Sequence, residues 1–363
     1  MATVSGVNPS PNCLLCGLEI SSMIYSQRVN PTCSGVLFRE NQWKHYKKDK
    51  LEHVMVPSKE VEEVDFAKYP SMWSCTCRAI IKGPNTKYFL SGITVTGEHY
   101  TDPYFIPKDR GIARIGGRTK NPQYYSGTFV QFYAASIKRQ LNRFKGQNVG
   151  FVVHAHCWAL LNHIIPTTLV EKKFEKFVRA ARKYWRDHEE WGIYDYSLRS
   201  WKHHGSIGVH PGFEHGCDIY KNPFIVPEVR KAIQKAINSA TKTKDKCIRS
   251  RCSPIPLEVA IMIAEWTCPI DYTPADVKNT RNMLSAWHWT LPDWFWKRRL
   301  KEDIFIELIS FRESNHSIDW QALRLDLMGL VSDREWYLYS GLPNRERVLG
   351  FMTAIKANFL KTS

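Results

Sequence analysis

The chain has 363 residues, 43% of them hydrophobic and 24% charged, which excludes a disordered polyanion and gives enough length for two ordinary domains. Its formal net charge of +16 points to an anionic partner, so nucleic acid enters as one possible partner. MATVSGVNPSPN lacks the basic start and apolar run of a secretory signal, and no stretch of spanning length is free of charge and histidine. The expectation is an intracellular protein, cytoplasmic or nuclear, without a membrane partner.

Taken in chain order, residues 1 to about 35 are turn-rich and carry the first cysteine pair, in CLLCGLEI. From Trp73 to Val130, aromatic and β-branched runs alternate with Gly, Pro and Asn, which predicts short strands and turns. The loop DRGIARIGGRTKNPQ lies between two such runs, but its glycines lack the strand-to-helix context and spacing of a dinucleotide fingerprint. Helices are expected to dominate after Val152. In VEKKFEKFVRAARKYWRDHEEW, Phe174, Phe177, Val178, Ala181 and Trp185 fall on one stripe at helical spacing. Lys172, Lys176, Arg179 and Arg186 fall largely outside it, as a solvated face or as a site for a polyanion such as RNA or DNA. A second basic helix, PEVRKAIQKAINSATK, opens with Pro227 and Glu228, residues suited to a first turn. The charged, serine-rich run that follows predicts a linker at 239–253, and the remainder reads as helical and tryptophan-rich.

Ten cysteines in an intracellular chain of this size suggest metal more than disulfides. Cys13 and Cys16 have the spacing of a tight-turn knuckle, with Gly17 to permit the backbone reversal. His154 and Cys157, in HAHC, have the spacing of two donors on the first turn of a helix. Together they compose CxxC…HxxC, the ligand set of a structural zinc site, with Trp158, Leu160 and Leu161 seating the helix on the core. Cys75 and Cys77 could replace or supplement a ligand. Two other readings stand beside zinc: a hydrogen-bonded core histidine with buried thiols, or catalysis by Cys157 with a histidine base. The isolated Cys33, Cys217 and Cys268 read as buried apolar thiols. An enzymatic alternative, using a His- and Cys-rich core, rests on His203, His204, His210, Glu214, His215 and Asp218 in a turn-rich loop.

The segment from Pro254 to Leu300 opens with SPIPLEVAIMIAEW and closes with DWFWKRRL. It resembles an F-box, and with CxxCG, HxxCW and a terminal LPNRxR (Leu342 to Arg347) the whole arrangement is similar to a group of filamentous-fungal F-box-like proteins. That resemblance implies docking on a Skp-type adaptor of a cullin ubiquitin ligase, recruitment of an unknown protein substrate, and adaptor contact through Pro256, Leu257, Ile261, Trp294 and Trp296. The expected fold class is α+β: a strand-rich, zinc-stabilised domain over 1–238, the linker, F-box-like helices over 254–300 and a helical extension over 301–363.

Overall fold

A computed structural model describes residues 11–20, 54–66, 70–83, 87–95, 105–115, 128–136, 148–188, 221–244, 255–269, 272–300, 304–309 and 317–361. The fold is mixed α+β, as expected, and it divides into two compact units. One runs up to Phe224 and resumes at Asn344; the other spans Ile225 to Pro343.

The first unit is built on a sheet whose described strands are β1 (Val54–Pro57), β2 (Thr76–Lys82), β3 (Tyr88–Leu90), β4 (Ile93–Val95), β5 (Phe105–Ile106), β6 (Ile112–Ile115), β7 (Thr128–Phe132) and β8 (Asn148–His154). Their order is β1-β6-β4-β2-β8-β7-β5, with β3 also paired to β2. Pairing is mixed: β4 with β6 and β7 with β8 are parallel, the others antiparallel. The central strands β2 and β8 are buried along most of their length, on alternate residues of both faces, so both faces of the sheet are covered there. Gly150 is required at their contact, since a Cβ there would stand 2.6 Å from the Ile80 carbonyl oxygen. A short helix α1 (Ser58–Glu62) follows β1, and buried Arg78 on β2 ties it down by donating to Glu62 at 2.7 Å.

After β8 come α2 (Ala155–Ile164), α3 (Thr167–Lys172) and α4 (Phe174–His188). The predicted stripe of α4 is buried in full: Phe174, Phe177, Val178, Ala181 and Trp185. The last helix, α11 (Leu342–Lys361), supplies Phe351, Met352, Ile355 and Phe359 to this core. Phe359 meets Phe177 edge-on at 5.8 Å, and Phe351 meets Trp185 at 5.1 Å.

The second unit contains α5 (Pro227–Lys244), α6 (Leu257–Thr267), α7 (Pro274–Ala286), α8 (Asp293–Lys297), α9 (Trp320–Ser332) and α10 (Arg334–Tyr339). Here the structure departs from the expected boundaries. The helix α5 belongs to this unit, because Val229, Ile233, Ala236 and Ile237 share a core with Phe295, Trp296, Leu323 and Leu327. It also continues to Lys244, so the linker expected over 239–253 begins as helix, held upstream by an apolar stripe, and its part from 245 on lies outside the described residues. A capping box of Thr273 and Asp276 starts α7, and Asp319 and Asp333 cap α9 and α10. No helix among the described residues is long and apolar enough to cross a membrane.

Candidate metal centre

The first cysteine pair sits in a tight knuckle. Asn12 and Glu19 bridge antiparallel, Ile20 N–H donates to the Pro11 carbonyl at 2.8 Å, and Cys13 N–H donates to the Leu18 carbonyl at 2.7 Å. Gly17 makes the reversal with φ of +75°, a conformation other side chains resist. Leu14 N–H donates to the Val152 carbonyl at 2.8 Å, which fastens the knuckle to the end of β8. The second pair straddles a junction. His154 is the last residue of β8 and the N-cap of α2, with φ −61° and ψ 142°, rather than part of the helix's first turn. Cys157 lies in that first turn, where the helix N-terminus favours a thiolate.

Long-range folding thus brings Cys13, Cys16, His154 and Cys157 together, with their ligand atoms all within 4.8 Å of one another and all four residues buried. The Cys16 Sγ to His154 Nδ1 distance is 3.3 Å, and Cys157 Sγ to His154 Nδ1 is 3.9 Å. A tetrahedral ion with ordinary metal–sulfur and metal–nitrogen bonds sets its ligand atoms about 3.5–3.8 Å apart, so these separations bracket the required value. Backbone N–H groups of Leu15 and His154 point at Cys13 Sγ at 3.4 and 3.3 Å, the contacts a thiolate accepts. The four side chains are positioned to bind a metal ion.

Electrostatics agrees with geometry. Burial pushes the Cys13 thiol up, but contacts from Cys157 and Cys16 and the charge of His154 outweigh it and hold Cys13 well below the ordinary thiol range. Burial, then the neighbouring Cys13 and Cys16, drives Cys157 well above that range. Burial would lower His154, yet the adjacent Cys16 and Cys13 raise it to about 10. Three sulfurs crowded in a buried space draw positive charge toward themselves.

The surroundings hold residues that sequence reasoning did not assign to the site. Trp185, fully buried, donates its indole N–H to the Leu14 carbonyl at 2.7 Å and lays its ring against Gly17. Arg347, buried near the start of α11, donates to the Cys16 carbonyl at 3.2 Å and twice to Asn344 Oδ1, at 2.9 and 3.1 Å. The LPNRxR segment was visible as a motif, but nothing local links it to a knuckle 331 residues away. Trp73 packs its ring on His154 at 4.7 Å. Cys77 is the cross-strand partner of His154, and Cys75 lies just before β2; both are buried thiols, and the four-residue group does not include them.

The other predicted residues are dispersed. Pro256 is exposed, Leu257 is 50% exposed and Trp294 49% exposed, whereas Ile261 packs partly against the second core. Trp296 is 0% exposed and cannot meet a partner, which corrects its expected role. On α8 consecutive aromatics point about 100° apart, so Phe295 and Trp296 turn inward while Trp294 turns out. Lys172, Lys176 and Arg179 line one cleft; Arg186 lies further along α4 and half-buried, outside it. Cys268 is buried as expected. The histidine-rich loop from His203 to Asp218, with Cys217, and Cys33 lie outside the described residues. The chain matches no family model, no curated protein and no solved structure.

Proposed function

We propose that this chain is a non-catalytic interaction protein: a structural zinc ion holds its first unit together, and its second unit docks a Skp-type adaptor through the outward face of α6. Zinc suits the donor set, three thiolates and one imidazole, and four buried donors leave no open position for water or substrate. The recruited protein substrate is then read elsewhere on the chain.

The observation that carries the docking reading is the polarity of α6. This helix buries only Ala260 and Ala264, while Val259, Met262 and Trp266 recur at i, i+3 and i+7 on the opposite side, all exposed. Trp266 is 90% exposed. A helix that fully buries only two alanines, half-buries Ile261 and Ile263 and turns Val259, Met262 and Trp266 to solvent exposes more large apolar surface than a self-sufficient domain needs, and is apt for an interface. Arg298 pairs with Glu265 and stacks over Trp294 at 4.9 Å, so the end of α6 and the exposed face of α8 join as one patch with a charged rim.

The test is co-elution of the purified chain with a Skp-type adaptor, comparing wild type, Met262→Ser/Trp266→Ala and Pro256→Ala/Leu257→Ala. Wild type should form the complex and both double variants should lose it, with zinc content and melting temperature unchanged because the altered side chains are exposed. A wild-type chain that ignores the adaptor, or variants that bind it equally, overturns the docking reading.

A further inference from the structure

A cleft of about 530 Å³ in the first unit is lined by Lys87, Tyr88, the α3–α4 junction and Arg179. Its charges are unevenly satisfied. Of its two carboxylates, Glu171 is taken by Arg110 at 2.7 Å and Glu175 by Arg179 at 3.2 Å. That leaves four lysines, Lys87, Lys172, Lys173 and Lys176, with no carboxylate partner among the described residues. Lys176 instead lies over the Phe359 ring at 5.4 Å, which keeps its ammonium near the cleft wall without neutralising it.

Two further features have the same sign. The first turn of α4 (Phe174, Glu175, Lys176) lines the cleft, so the positive end of a 15-residue helix adds to the potential. Tyr88 offers a phenol that burial, then the Glu175 charge, pushes above its ordinary range, so at neutral pH it is a hydrogen-bond donor. Nothing in this lining requires the adaptor reading or the metal.

We propose that this cleft binds a small molecule bearing several phosphate groups, held by Lys87, Lys172, Lys173 and Lys176 with the Tyr88 hydroxyl donating to one phosphate oxygen. Four lysines lining one cleft, Lys87 just before β3 and three at the α3–α4 junction, suit a compact, multiply charged ligand. A volume of this size holds such a ligand but not a duplex backbone, which needs an extended basic track. Arg179, the one arginine in its lining, is already engaged by Glu175, so recognition rests on point charges and charge number more than on bidentate geometry.

The experiment is titration calorimetry of the full chain at physiological ionic strength with inositol hexakisphosphate, inorganic pyrophosphate and a single-stranded RNA oligonucleotide. The compared proteins are wild type, Lys172→Gln/Lys173→Gln, Lys87→Gln, Tyr88→Phe and, as a control on the exposed side of α4, Lys183→Gln. Inositol hexakisphosphate should bind with one site per chain and more tightly than pyrophosphate. Each cleft lysine removed should weaken it about two- to fivefold, while Lys183→Gln leaves it unchanged. Absence of binding, or equal weakening by Lys183→Gln, overturns the proposal. So does RNA binding more tightly than the polyphosphate, which would make the cleft part of a nucleic-acid track.

Discussion

Replacing Trp185 by Phe tests how the knuckle is supported. The change removes the indole N–H that the Leu14 carbonyl accepts at 2.7 Å and the ring atoms that lie against Gly17. Trp185 is fully buried, so neither loss is repaired by water. Three fewer heavy atoms in a closed core cost about 2 kcal/mol at ~0.8 kcal/mol per methylene equivalent. An orphaned buried carbonyl adds about 1–3 kcal/mol. The sum, about 3–5 kcal/mol, is a large part of a typical domain's stability of about 5–15 kcal/mol. Because Leu14 lies between Cys13 and Cys16, the same loss should loosen the metal. Urea unfolding of the metal-loaded protein should show this destabilisation, and a chromogenic chelator should strip metal faster than from wild type. A destabilisation below about 1 kcal/mol with an unaltered stripping rate would refute the view that the indole braces the knuckle.

Gly17→Ala should cost about 2 kcal/mol in the same unfolding assay, since it combines a left-handed φ of +75° with a Cβ 3.2 Å from the fixed Trp185 ring. Arg347→Met should destabilise by at least about 3 kcal/mol, from lost charge-assisted bonds to Cys16 and Asn344. It should also speed amide exchange around Cys13 to Cys16, and exchange no faster than wild type would count against the link. Metal affinity should rise with pH. Without an ion, His154 holds its proton up to about pH 10 and Cys157 holds its own more tightly than an ordinary thiol, so binding must expel both. Chelator competition between about pH 6 and 8 should therefore show affinity climbing about ten- to a hundredfold per pH unit, and a flat profile would contradict the ligand set.

Much of the metal site was legible because its donors come as two local pairs, and spacing within a pair is a sequence property. What spacing could not show was that His154 ends a strand while Cys157 starts a helix, since a buried strand and a buried helix turn look alike over four apolar residues. The stripe of α4 was readable from its period. The end of α5 was not, because a serine- and lysine-rich run suggests a linker on composition alone, while the helix is anchored upstream by Ala236 and Ile237. The return of α11 to the first unit has no local signal at all; it is specified by contacts such as Arg347 to Cys16. Net charge also misled in part. Arg78, Arg114, Arg324, Arg345 and Arg347 count toward +16, yet each is nearly or fully buried and adds little to the outer field. On α8, three neighbouring aromatics read as one patch, and only packing separates exposed Trp294 from buried Trp296.

The most direct test of the central claim is metal analysis by mass spectrometry on protein purified without added metal, with Cys157→Ser beside it. Wild type should carry one zinc per chain. Cys157→Ser should carry much less and melt at a lower temperature, since a structural site contributes its binding free energy to folding. A wild-type chain free of zinc and other transition metals, yet folded and as stable as the metal-supplemented protein, would contradict the account.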